Sequence, residues 1–79
     1  MKNITLNLNG IDDIKFFNTE ACKTKLNIDM KVGNRCVAGK SLLGIMSLDL
    51  SDKIIVKLIG AEEEIEKFIK TIDRLLIIE

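Results

Sequence analysis

Apolar and polar residues alternate at the start of the chain. Ile4, Leu6 and Leu8 are separated by Thr5 and Asn7, the period of two that a strand shows when one face is dry and the other wet. Asn9-Gly10 breaks the run. The period then changes: Ile14, Phe17 and Ala21 recur at helical spacing, and Asp12 and Asp13 suit the positive end of a helix dipole. A helix is predicted from Asp12 or Asp13 to about Lys23 or Lys25, with Phe16 beside the main stripe, covering an edge of the core.

Leu26, Ile28, Met30 and Val32 form a second alternating run, with Asn27, Asp29 and Lys31 turned outward. Gly33-Asn34 follows, and two such residues between alternating runs predict a tight hairpin, Gly33 supplying the positive φ that a type II′ turn requires at its first central position. The return strand, Arg35 to Ala38, places Cys36 and Ala38 on one side and Val37 on the other. Lys53 to Ile59 is the clearest strand, with Ile54, Val56 and Leu58 facing one way. Ile55 and Ile59 on its other face, flanking Lys57, predict a strand between two neighbours. From Ala61 the stripe Ile65, Phe68, Ile69, Ile72, Leu75 and Leu76 predicts three turns of amphipathic helix. Its charge order suits the dipole, Glu62, Glu63 and Glu64 early, Lys67, Lys70 and Arg74 late.

Between these elements lies Lys40 to Leu50, a strongly apolar segment with Gly39 before it and Gly44 within it. As a short helix it has Ser41 at the N-cap, where a hydroxyl accepts from a backbone N–H of the first turn. Leu42, Ile45 and Met46 then share a face, with Leu43 and Leu50 away from it. So short a helix cannot bury every side of itself, so some of Leu42, Leu43 and Met46 are expected at the surface, and a contiguous exposed apolar patch marks a contact site. The pattern alone leaves open the alternative that all of them plug the core.

The element order is β-α-β-β-α-β-α. One-faced strands and one-striped helices close most economically as an α+β fold in two layers, helices covering one face of a four-stranded, mainly antiparallel sheet. At 79 residues the chain is read as one domain, 1–79, with a single core.

Charge and composition narrow the chemistry. Lysine plus arginine equals aspartate plus glutamate, 12 each, so no long-range field draws in nucleic acid or anionic lipid. With three Phe and neither Trp nor Tyr, platforms for stacking bases are scarce. No apolar run approaches a signal-peptide core or a membrane span, so the expected location is the cytoplasm, with no membrane partner. Cys22 and Cys36 match no metal spacing and are read as small hydrophobes. Histidine is absent, which removes the commonest general base and the commonest transition-metal ligand. No phosphate loop, catalytic triad or metal cluster can be assembled, so no cofactor is expected. The close aspartate pairs, Asp12 with Asp13 and Asp49 with Asp52, are read first as a helix start and a turn.

The segment Lys40-Ser41-Leu42-Leu43-Gly44-Ile45-Met46-Ser47-Leu48 resembles the Lys-Ser-Ile-Met-Gly-Val-Met-Ser-Leu motif of HPr, the small phosphocarrier of the bacterial phosphoenolpyruvate-dependent sugar phosphotransferase system. The likeness extends over length, element order, the Gly/Asn hairpin and Gly60-Ala61 at the last helix. It implies the family's open-faced β-sandwich. In the family a Gly-Ile-His-Ala-Arg-Pro motif opens the first helix, the histidine carrying phosphate and the arginine steadying it. Here Gly10-Ile11 is followed by Asp12, Asp13, Ile14 and Lys15, and the stretch from there to Ser41 is about two residues shorter than usual. The resemblance therefore implies a histidine site replaced around Asp12, Asp13 and Ile14. Carboxylates at that helix end repel an incoming phosphate and can take the N–H groups themselves.

Ser41 matches the serine that a dedicated kinase phosphorylates in HPr of low-GC Gram-positive bacteria, so the resemblance makes it a candidate for regulatory phosphorylation beside its plain reading as an N-cap. Leu42, Leu43 and Met46 match apolar docking positions. The expectation is a non-catalytic HPr-like regulatory or adaptor domain whose partners are proteins, components of the sugar phosphotransferase system or of carbon regulation among them. The alternative is an atypical carrier modified on Ser41 or, less readily, on Asp12; a third reading is a diverged remnant with no partner.

Overall fold

A computed structural model describes residues 1–77. Its elements are β1 (Lys2–Leu6), α1 (Gly10–Lys23), β2 (Asn27–Val32), β3 (Arg35–Ala38), α2 (Leu42–Met46), β4 (Ile54–Ile59) and α3 (Glu62–Thr71), followed by a 3-10 turn over Asp73–Leu75. The strands form one antiparallel sheet in the order β1-β4-β2-β3. β4 lies between β1 and β2, the central place predicted for it, with Ile54, Val56 and Leu58 on the covered face and Ile55 and Lys57 on the open one.

Alternation carries over directly into burial. Leu26, Ile28, Met30 and Val32 are all buried, and so are Ile54, Val56 and Leu58, while the intervening residues of β2 are exposed. The three helices lie over the buried face, α1 contributing Ile14, Phe17 and Ala21, and α3 contributing Ile65 and Phe68. Phe17 and Phe68 meet edge to face with ring centroids 5.7 Å apart, an arrangement that places the positive rim of one ring on the negative face of the other. The opposite face of the sheet carries Asp29, Lys31, Cys36 and Lys57 and is solvated. This is the two-layer α+β architecture with an open sheet face.

Gly33 has φ +59°, and Asn34 is not in the positive-φ region. A type I′ turn needs both central residues there and type II′ only the first, so the Val32↔Arg35 hairpin closes as the sequence predicts.

Four local expectations are corrected. α1 begins at Gly10, ahead of the aspartates, because Gly10 takes φ +82° and turns the chain straight from Asn9 into the first helical turn. β1 ends at Leu6, yet Leu8 is still buried beyond the strand. Neither cysteine joins the core: Cys36 lies on the open sheet face opposite Lys31, and Cys22 is exposed, its thiol directed at the Lys40 carbonyl at 3.6 Å.

The last correction concerns α3, which stops at Thr71 and does not run to Leu76. The outer edge of β1 leaves backbone groups open. Leu75 and Ile77 satisfy two of them, the Asn7 N–H donating to Leu75 O at 2.9 Å and the Ile77 N–H to Thr5 O at 3.0 Å, around a bridge between Leu6 and Leu76. Ile72 and Leu75 remain buried, so the apolar stripe is kept although the helix is not.

Candidate functional site

Two helix starts carry the residues singled out by the sequence. At α1, Asn9 is the N-cap but contributes no side-chain cap. Asp13 supplies the missing interaction from inside the helix: its Oδ2 accepts the Asn9 N–H at 3.0 Å. Its Oδ1 accepts from Arg74 Nη1 at 3.1 Å, and the Arg74 guanidinium lies 4.4 Å from the centroid of the Phe16 ring. The Asp13 side chain keeps only 16% of its surface, whereas Arg74 keeps 59%. One carboxylate thus holds both a backbone donor and a cation, the two kinds of group an anionic ligand would use at a helix start. Asp12 and Ile11 are exposed beside it, and the chain has no histidine to act there as a phosphoryl acceptor.

Arg74 is the residue that sequence reading missed. It lies 61 positions from Asp13, and on the helical pattern it was only a late cation matching the dipole of its own helix. The turn that ends α3 carries it across to α1.

At α2, Ser41 has the extended backbone of an N-cap and its Oγ accepts the Gly44 N–H at 3.2 Å. Its own N–H donates to Ala38 O at 3.0 Å, which fixes the serine to the end of β3. At the other end Ser47 Oγ donates to Gly44 O at 2.7 Å, and Arg35 Nη1 donates to Ser47 O at 3.3 Å. Space at Gly44 is tight: a Cβ there would lie 3.0 Å from Ser41 Oγ and 3.3 Å from Val37 Cβ. From the α1 side, Lys40 Nζ donates to Thr24 O at 2.9 Å, so the residue before Ser41 is tied to the last turn of α1.

These anchors decide which apolar side chains of α2 face water. Ile45 is wholly buried and Leu42 half-buried against the core. Leu43 and Met46 project, 81% and 49% exposed. Of the three residues matched to docking positions, two are therefore open and the third borders them. Met46 is more exposed than its place on the Leu42/Ile45 face suggested, because a five-residue helix packs only its inner side.

Beyond α2, Asp49 Oδ1 accepts from the Ser51 hydroxyl at 2.6 Å and from the Ser51 N–H at 3.2 Å. Both bonds favour the ionised carboxyl and hold its pKa below the ordinary 3.8, the hydroxyl contributing more. The arrangement is a side-chain turn of the kind expected for this aspartate.

No protein-family model matches the chain, and no curated protein does. Solved structures do. HPr-C-His from Thermoanaerobacter tengcongensis is similar with a TM-score of 0.77 and 27% identity, over 94% of this chain and 89% of that one. The histidine-containing phosphocarrier protein of Mycoplasma is similar with a TM-score of 0.74 and 15% identity, over 92% and 89%. The phosphocarrier protein HPr from Bacillus anthracis str. Ames has a TM-score of 0.66 and 24% identity, over 89% and 92%. The architecture assembled above, from strand order to the short capped helix, is the HPr-like fold.

Proposed function

We propose that this chain is a non-catalytic, HPr-like regulatory or adaptor domain related to the phosphocarrier of the sugar phosphotransferase system, acting in the cytoplasm and docking partner proteins through α2. The observation that carries the reading is the contrast between its two helix starts. At α1 the Asp13 carboxylate holds one backbone donor, the Asn9 N–H, and pairs with Arg74, Asp12 adds a second negative charge beside it, and the chain has no imidazole. At α2, by contrast, Leu43 and Met46 are held out into solvent on a helix secured at both ends. Partners from the phosphotransferase system or carbon regulation fit the HPr likeness.

Comparing partner capture from the native host by the wild type and by Met46→Asp tests the docking surface. The charge should abolish capture while circular dichroism stays unchanged, since an exposed position tolerates substitution within about 0.5 kcal/mol. Retrieval of the same partners by both proteins would rule α2 out as the contact.

A second reading rests on Ser41, which is exposed and whose Oγ accepts the Gly44 N–H. A phosphoryl group there would add close to two negative charges at the start of α2 and offer a partner's arginine or lysine a new site. Incubation with the cognate kinase and ATP, or with phosphoenolpyruvate and the first enzyme of the pathway, followed by intact mass, tests this reading together with its less favoured variant on Asp12. An unchanged mass in both mixtures removes it.

A further inference from the structure

We draw no further inference here: the strongest candidate, the apolar groove along the outer edge of β1 between Ile4, Ile69, Leu76 and Ile77, carries nothing because nothing in the structure shows what covers it.

Discussion

At Asp13 a single side chain serves as helix cap and as ion-pair partner, and the two roles have different worth. The Arg74 partner is mostly exposed, so water screens the pair and it contributes little, within about 0–1 kcal/mol. Capping the Asn9 N–H is the steadier part, since an open donor at a helix start costs about 0.5–2 kcal/mol. Asp13→Ala is therefore expected to lower stability by about 1 kcal/mol, read by urea denaturation, and Arg74→Ala by less. If Arg74→Ala costs more, the cation and not the cap organises this end of α1. Ser41 offers a parallel case: Ser41→Ala removes the bond to the Gly44 N–H and should cost about 1 kcal/mol. Asp49 makes stability depend on pH. Its folded pKa is depressed, so its contribution is complete above the ordinary 3.8 and is lost as pH falls through the folded value. In an NMR titration the Asp49 carboxyl should titrate below 3.8, and in Ser51→Ala it should move back toward 3.8.

Among elements, α2 depends most on its neighbours. Five residues are too few to hold a helix in water, so its shape comes from outside: Ser41 tied to Ala38, Ser47 held by Arg35, and Ile45 set in the core. The approach also needs a bare backbone. Gly39 donates to Ile28 O at 2.8 Å, and a Cβ at Gly39 would collide with Ile28 Cγ2. Gly39→Ala should thus cost about 1–3 kcal/mol through forced displacement of a packed side chain. Gly44→Ala should cost less, because its nearest contact is a hydroxyl at 3.0 Å. Thermal melts of the two variants check the order, and a milder effect at Gly39 would mean that Ile28 yields easily. α3 shows the reverse dependence, an element shortened by a neighbour's need. Its stripe continued to Leu76 by pattern, but the open edge of β1 took Leu75, Leu76 and Ile77 as partners instead.

For the molecule as a whole, one layer of helices leaves one sheet face wet and gathers both candidate sites into the helical layer. Inorganic phosphate titrated into the wild type should leave the amide resonances of Asn9 to Asp13 unmoved, because the Asp12 and Asp13 carboxylates repel an anion there and Asp13 already holds the Asn9 N–H. Saturable shifts confined to those residues would overturn this expectation. This outcome is independent of the Met46→Asp comparison, so the loss of phosphate chemistry and the retention of a docking surface stand or fall separately.

Local pattern, by itself, determined which strands and helices form and in what order, the hairpin at Gly33 and the N-cap at Ser41, because each depends on residues a few positions apart, but not where β1 and α3 end. The resemblance of the Ser41 segment, too, was legible in nine consecutive residues. What the chain order alone could not supply was any relation across long separations. Arg74 meets Asp13 only after α3 has packed on the sheet, and the cysteines are left in solvent because α1 and β3 turn other side chains inward. Exposure of Leu43 and Met46 was likewise a tertiary decision, since the same apolar pattern would describe a helix plugged into a core. Burial is settled by what lies opposite a residue, and in this molecule the opposing surface comes from segments far away along the chain.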